Sequence, residues 1–448
     1  MSEPDLDHAS SADSADETTE AISARRRAIR FGAVGTVIEW YDYLVYASLA
    51  PVFAQVFFPT DNRISGLLAT YGVFASGYLI RPLGAIFFGH IGDRAGRRKA
   101  LIGSLALMAV AMAGIAVLPT ASTLGAIATG LFVLTRLIQG FSVGGELTGT
   151  LTLLIEYAKP KRRGLTTSAA LVALGIGLML ATGIVAIIHL TLSDALIESW
   201  GWRIPYIFGT VLVAASIVLR ARVDETPVFE ELKRQGRLTR IPLREVLVSH
   251  LPALLRTTLI AGFIGLAFYI VFGFLVGFRA SILDKSGTDA VLATLVGAAI
   301  YAGVTPFAAW VSDRIGRRVV LLSGTIALAV SAYPVFLVIS SSGFAGLIGA
   351  TALLSAEVAW ASGASMVAIT EMFHARERLS GLSVGYNIGN TILGGTAPLV
   401  ATWLVSVSGS NTAPSLYLVA VAIGAAIVIW LMPETAPVRA SGREEVQD

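Results

Sequence analysis

GHIGDRAGRR, at residues 89–98, returns as AWVSDRIGRR at residues 309–318, and this pair of segments decides how the chain is organised. The matching Asp-Arg-x-Gly-Arg-Arg patterns lie 220 residues apart in a chain of 448, and each follows a long apolar stretch. A weaker echo relates EYAKPKRRG (156–164) to EMFHARERLSG (371–381). The pattern therefore indicates a duplicated unit of about half the chain, with both copies in the same orientation.

The composition is that of a protein whose solvent is the lipid bilayer. Hydrophobic residues make up 55% of the chain, charged residues only 14%, and the mean hydropathy is +0.73. A helix needs roughly 20 mostly apolar residues to cross the hydrocarbon layer. The sequence thus predicts an all-α membrane protein with about twelve transmembrane helices in two pseudo-symmetric six-helix bundles. These spans are expected near residues 28–58, 65–91, 98–118, 123–157, 164–190, 202–221, 251–281, 289–312, 317–340, 344–372, 378–407 and 413–432.

Five segments follow from the charge and hydropathy pattern. Residues 1–27 lack the apolar core of a signal peptide and are expected to form a disordered cytoplasmic tail. Residues 28–221 form the N-terminal half, 222–250 a polar cytoplasmic linker, 251–433 the C-terminal half, and 434–448 a short cytoplasmic tail.

Basic residues predict the orientation, because Lys and Arg accumulate in short cytoplasmic loops. Clusters occur at residues 25–27, 94–99, 159–163, 314–318 and 376–378, whereas the opposite loops carry at most Arg63, Arg203, Arg279 and Lys285. We expect a multi-pass protein of the cell membrane with both termini in the cytoplasm.

Ionisable residues deep in a span are costly and mark functional candidates. Glu39 and Asp42 on the first span, Arg81 on the second, and Arg136 and Glu146 on the fourth all fall near the midplane of the N-terminal half. Two close carboxylates in a desolvated site favour protonation of one of them, so a proton can be carried. Alternatively, the acids only neutralise Arg81 and Arg136 as fixed structural pairs.

Further polar side chains complete the predicted substrate or proton pathway. Tyr43 and Tyr46 share a helical face with Glu39 and Asp42. In the C-terminal half, Glu357 is either a second proton site or a satisfied polar residue, and Asn387 is expected to read substrate polarity by hydrogen bonds.

The repeated loops are candidates for a cytoplasmic gate. A carboxylate at a helix end and a group of guanidinium ions can latch neighbouring helix termini by bonds that break and re-form. The alternative is a loop that only sets topology. The predicted gate residues are Asp93, Arg97, Glu156, Asp313, Arg317 and Glu371.

The paired loops resemble the signature of the major facilitator superfamily, and several segments resemble its metabolite:proton symporter branch. These are GTVIEWYDYLVY (35–46), SGYLIRPLGAIFFGHIGDRAGRRKAL (76–101), RLIQGFSVGGELTG (136–149), WGWRIPYIFG (200–209) and DETPVFEE (224–231). The branch includes importers of proline and betaine, of 2-oxoglutarate and citrate, and of shikimate. The resemblance implies alternating access between two halves and, for Arg136, either a structural or proton-tuning role or contact with the substrate.

The resulting prediction is proton-coupled import of a small carboxylate-bearing metabolite, with a lean to a zwitterionic osmolyte such as proline or betaine. An importer of an organic acid is the alternative, and a non-transporting sensor is a distant one. The chain has no nucleotide-binding loop, cysteine or metal-ligand cluster, so no enzyme activity, cofactor or metal is expected. The expected partners are the substrate, protons and membrane lipid, without nucleic acid or an obligatory protein.

Overall fold

The computed structural model describes residues 19–95, 97–143, 146–221, 250–374 and 378–436. All the regular elements in this part of the chain are helical. Eleven of the described helices are long and apolar enough to cross a membrane. Thr19–Ser48, continued by Ala50–Phe57, precedes them, and its lower hydropathy follows from Glu39 and Asp42. We count this helix as the first span because it packs within the bundle, where its residues 38–50 are buried.

The N-terminal half contains six spans joined by short connections. The second to sixth spans are Arg63–Ala95, Arg97–Val117, Ala126–Ser142 with Glu146–Glu156, Arg163–Thr191, and Ile204–Ala221. Short helical turns at Ala121–Leu124, Pro160–Arg162, Asp194–Ser199 and Gly201–Arg203 connect them.

The C-terminal half repeats this arrangement, and two of its spans contain π-helical turns. The seventh span is Leu251–Tyr269, Ile270–Phe274, Leu275–Gly277 and Phe278–Ile282, of which the second and fourth pieces are π-helical. The eleventh span is Arg378–Gly389, the π-helical Asn390–Gly394, and Ala397–Ser408. The remaining spans are Gly287–Ile315, Arg317–Ser341, Phe344–Glu371 and Ala413–Trp430. Such π-helical turns often occur at functional sites.

The first helix starts before the predicted boundary at residue 28. It begins at Thr19, so residues 19–27, which are predicted to belong to a disordered tail, are helical. The segment TEAISARRR contains no Gly or Pro to stop the helix, and Ala, Arg and Glu are strong helix formers. The predicted linker lies outside the described residues except for His250.

Close helix packing in the N-terminal half brings the two predicted arginines to neighbouring positions. A side chain at Gly140 would overlap the backbone of Gly77, so the second and fourth spans touch through their glycines. Arg81 follows Gly77 by one turn, and Arg136 precedes Gly140 by one turn. Without a Cβ atom at this crossing, the backbones approach as small residues permit in membrane bundles.

On the side of the bundle with few charges, the basic residues bind backbone carbonyls at helix ends or a carboxylate in a loop. Here "inner" denotes the side of the basic loops and "outer" the opposite side. Arg203 donates to the carbonyl of Leu118 (2.8 Å), and Arg279 donates to that of Ile339 (2.8 Å). Lys285 donates to Ser340 (2.7 Å), and Arg63 pairs with Asp284. Three of the four thus satisfy carbonyls at the ends of the third and ninth spans.

Candidate functional site

One of two neighbouring buried ion pairs in the N-terminal half joins the first and second spans. Arg81 Nη2 lies 2.8 Å from Glu39 Oε1, and Arg81 Nε donates to the Tyr43 hydroxyl at 2.9 Å. The guanidinium carbon also lies 4.5 Å from the ring centroid of Tyr43 and 4.4 Å from that of Tyr78. Both charged side chains are 3% exposed, so the pair is held in a low-dielectric environment.

This pair faces the C-terminal half. The hydroxyl of Tyr78, beside Arg81, contacts the hydroxyl of Tyr269 on the seventh span. Trp40 packs against Phe268 and Tyr269 of the same span, with ring centroids 5.0 and 6.2 Å away. The Glu39–Arg81 pair therefore lies where the two halves meet.

The second ion pair lies entirely within the N-terminal half. Arg136 Nη1 is 3.3 Å from Asp42 Oδ2 and also donates to the side-chain oxygen of Gln139. Its guanidinium carbon lies 4.1 Å from the ring centroid of Tyr46, whose hydroxyl donates to the carbonyl of Thr70 at 2.7 Å. Asp42 and Arg136 are 0% and 1% exposed.

Tyr43 contacts both pairs. The guanidinium carbons of Arg81 and Arg136 lie 4.5 and 5.3 Å from the same Tyr43 ring centroid. The ring thus gives both cations a favourable cation–π contact. Two cations, two acids and one shared ring form a single buried unit, and a change in the charge of either acid is felt by both arginines.

The other predicted pathway residues are not part of this unit. Glu357 accepts a hydrogen bond of 2.6 Å from Ser331 and is only partly buried between the ninth and tenth spans. Asn387 is buried on the eleventh span and donates to the carbonyl of Ser383 in its own helix at 2.8 Å. The side chain of Glu146 lies outside the described part of the chain.

At the inner side, the second copy of the repeated loop connects the two halves. Asp313, at the end of the eighth span, accepts from the backbone N–H groups of Gly164 and Leu165, each at 2.9 Å. These groups lie in the first turn of the fifth span, where a carboxylate satisfies free N–H groups and the helix dipole. Arg317 Nη2 lies 2.7 Å from the same carboxylate.

We call the contacts of Asp313 and Arg317 at the start of the fifth span the inner latch, and Glu371 extends it. It lies 3.3 Å from Arg317 and 3.8 Å from Arg163 of the fifth span, and it accepts a hydrogen bond from Thr435. Glu434 accepts from the backbone N–H groups of Arg317 and Arg318. Of the other predicted gate residues, Glu156 is exposed at the end of the fourth span, and the side chains of Asp93 and Arg97 lie outside the described residues.

The two halves also touch on the outer side. The Tyr71 hydroxyl donates to the carbonyl of Gly273 at 3.1 Å, inside a π-helical turn of the seventh span. The ion pair of Arg63 with Asp284 lies further out. Contacts between the halves therefore exist both above and below the central ion pairs.

Several residues of the site are not among those predicted from the sequence. Gln139 and Tyr78 each lie three positions from a predicted arginine, so helical spacing could have identified them. Tyr269 and Glu434 offered no such signal, because their partners are 191 and 117 residues away.

Comparisons with known proteins agree with this architecture. Residues 29–244 match the family model described as "Sugar (and other) transporter", and residues 258–447 match that of the major facilitator superfamily. The fold is similar to a partially occluded, inward-open structure of the xylose transporter XylE from E. coli. The TM-score is 0.74 at 18% identity, with 92% of this chain and 99% of that chain covered.

Relatives with the same architecture handle different small molecules. The chain is 34% identical to the shikimate transporter of Escherichia coli (strain K12), with 94% of this chain and 97% of the relative covered. It is 31% identical to the citrate-proton symporter of Klebsiella pneumoniae (87% and 88% covered). It is 30% identical to the proline/betaine transporter of Escherichia coli (strain K12) (92% and 84% covered).

The chain belongs to the major facilitator superfamily, among its metabolite and organic-acid transporters. It is a multi-pass membrane protein and a transporter, not an enzyme.

Proposed function

We propose that this protein imports a small organic anion with one carboxylate, together with a proton, by alternating access between its two halves. The observation that carries the proposal is the Glu39–Arg81 pair, buried where the halves meet. In this mechanism the substrate carboxylate replaces Glu39 as the partner of Arg81, and one of the two neighbouring acids, Glu39 or Asp42, takes up a proton.

Charge balance is the physical reason. Arg81 and Arg136 are matched by Glu39 and Asp42, so the buried unit is neutral when both acids are ionised. Protonation of one acid leaves one uncompensated positive charge, which is costly in a dry interior. A single substrate carboxylate removes that charge. Proton and monocarboxylate therefore stabilise each other's binding.

A zwitterionic osmolyte is the second candidate, and the sequence motifs favour it. The aromatic rings of Trp40, Tyr78, Phe268 and Tyr269 meet beside Arg81 and could hold a quaternary ammonium group. A zwitterion carries its own counter-charge, so its binding does not require protonation of either acid. This difference in pH dependence separates the two candidates.

The inner latch fits the role of a cytoplasmic gate. Asp313, Arg317 and Glu371 of the C-terminal half hold the start of the fifth span, and access from the inner side requires these bonds to break. We assign both termini to the cytoplasm, because the basic loops lie on the same side as this latch.

The test is uptake and binding by the purified full chain. Reconstituted vesicles would be given a pH gradient, with and without a protonophore, and offered shikimate, citrate, 2-oxoglutarate, proline and glycine betaine. We expect shikimate or a similar monocarboxylate to accumulate only with the gradient, and to raise the unfolding temperature more at acidic than at alkaline pH. Selective stabilisation by proline or betaine at all pH values would favour the osmolyte. Accumulation that persists with the protonophore would refute proton coupling.

A further inference from the structure

A second group of polar atoms is buried beside Asp42, inside the N-terminal half. Asp42 Oδ1, Arg136 Nη2, Gln139 Nε2 and the Tyr206 hydroxyl are all buried and have no hydrogen-bond partner among the described residues. The four side chains are at most 1% exposed. They come from the first, fourth and sixth spans.

These side chains are neighbours. Gln139 lies beside the Asp42 carboxylate and accepts a bond from Arg136. The ring centroid of Tyr206 is 6.0 Å from that of Phe53, and Phe53 lies 5.2 Å from the ring of Tyr46, which contacts Arg136. The group contains three donors, from Arg136, Gln139 and Tyr206, and one carboxylate acceptor. Buried polar atoms are almost always satisfied, and an internal water typically makes about three such bonds.

We infer that Asp42, Arg136, Gln139 and Tyr206 form an internal water site. Through this site a proton reaches Asp42 from the outer side without passing the Glu39–Arg81 pair, where the substrate is proposed to bind. This inference deepens the proposed function and rests on it. The Tyr206 hydroxyl passes its proton to the bound water and receives another from the outer side. The water passes one of its protons to Asp42 Oδ1. One proton is delivered, and neither the tyrosine nor the water keeps a charge.

The outer end of this route lies along the sixth span. Trp202 precedes Tyr206 by one helical turn, about 6 Å along the axis. Its indole N–H is likewise buried without a partner in the described part of the chain, and its ring packs 5.4 Å from that of Phe57. An indole N–H can hold a second water but cannot relay a proton, so Tyr206 is the side chain on which the relay depends.

Several charged and phenolic groups surround Asp42. Tyr43 contacts the guanidinium groups of both Arg136 and Arg81, and its hydroxyl accepts a hydrogen bond from Arg81. The ionisable groups that interact with Asp42 are Arg136, Arg81 and the phenols of Tyr41, Tyr43 and Tyr206. The ionisable side chains of the fifth span, which packs against the first, are near its two ends, at Arg163 and His189.

Tyr206→Phe in the full chain, reconstituted in vesicles, tests the route, with Tyr41→Phe as the matched control. Tyr41 is an equally buried phenol in the same bundle, but its hydroxyl donates to the carbonyl of Pro205 at 2.6 Å. We expect Tyr206→Phe to slow proton-driven uptake about a hundredfold at alkaline external pH, the lower end of the effect of losing a proton-transfer group. The deficit should shrink as the external pH falls, because proton delivery then ceases to limit the rate. Counterflow exchange, which needs no net proton movement, should be unchanged, and Tyr41→Phe should follow the wild type at every pH.

Either of two results would overturn the water site: a Tyr206→Phe rate equal to that of the wild type, or one reduced by the same factor at every pH and in counterflow. If Tyr206→Phe fails to fold, a second variant, Trp202→Phe, replaces it. The rate of proton uptake after a pH jump is then compared between this variant and the wild-type protein. Trp202→Phe should slow that uptake, and an unchanged rate would contradict the route. If wild-type uptake does not depend on the proton gradient, the proposed function itself is refuted.

Discussion

The two buried ion pairs use the same chemistry in different surroundings. Glu39 and Asp42 are less than one turn apart on the first span, and each is paired with an arginine. Glu39–Arg81 touches side chains that contact the seventh span, whereas Asp42–Arg136 is enclosed by the N-terminal half. The first pair can be exposed when the halves separate. The second stays buried in either arrangement if the halves move as rigid bodies. We therefore interpret the first pair as the substrate side and the second as the proton side.

Breaking the enclosed pair should have the largest effect. Arg136→Gln leaves Asp42 buried without a cation, which costs about 3–5 kcal/mol of folding stability. We expect loss of transport and a clear fall in the unfolding temperature of the purified protein. The double variant Asp42→Asn with Arg136→Gln should recover most of that temperature. A single variant as stable as the wild type would show that the pair is not desolvated.

Neutralising each acid in turn compares the two pairs directly. Glu39→Gln and Asp42→Asn should both abolish proton-driven accumulation and retain counterflow exchange, because a permanently neutral side chain imitates the protonated acid. They should differ in binding. Glu39→Gln frees Arg81, so substrate affinity should rise about tenfold at alkaline pH and lose its pH dependence, as expected for release of a charge-assisted bond. Intact accumulation in both variants would eliminate the two acids as proton carriers.

The inner latch should affect rate more than affinity. Asp313→Asn weakens the bonds to Gly164 and Leu165 by removing the carboxylate charge, worth about 1 kcal/mol at a helix start. We expect turnover to fall several-fold with unchanged substrate binding, measured by uptake rate and thermal shift. Asp289→Asn, at the outer end of the same span, is the control and should match the wild type. Equal turnover in the two variants would show that the repeated loop at residues 309–318 only sets the topology and is not part of a gate.

Glu357 should matter least. It lies away from both pairs and is bonded to Ser331, so Glu357→Gln retains the hydrogen bond and changes no charge in the central unit. We expect uptake within about twofold of the wild type, since a satisfied polar group outside the site contributes little to transport. A loss of proton coupling as large as that of Asp42→Asn would restore Glu357 as a second proton site.

The ion pairs show how far spacing alone could lead. Depth alone placed five charged residues near the midplane, and four of them, Glu39, Asp42, Arg81 and Arg136, form two ion pairs there. The side chain of the fifth, Glu146, lies outside the described residues. Spacing could not determine which acid takes which arginine, because all four are within reach at the same level. Nor could it predict that the Tyr43 ring would contact both arginines. For Glu357, the sequence indicated its depth in the membrane but not the direction of its side chain, which is bonded to Ser331 and not to the central ion pairs.

The sequence by itself determined the helical class, the duplication and the depth of each charge, because hydropathy and the 1.5 Å rise per residue are local properties. Only the tertiary structure decided which charges pair, that Asp313 caps the fifth span, and that Glu434 returns to the start of the ninth. Those contacts join residues 42 to 149 positions apart. They depend on how helices rotate and pack against one another, which no local pattern records.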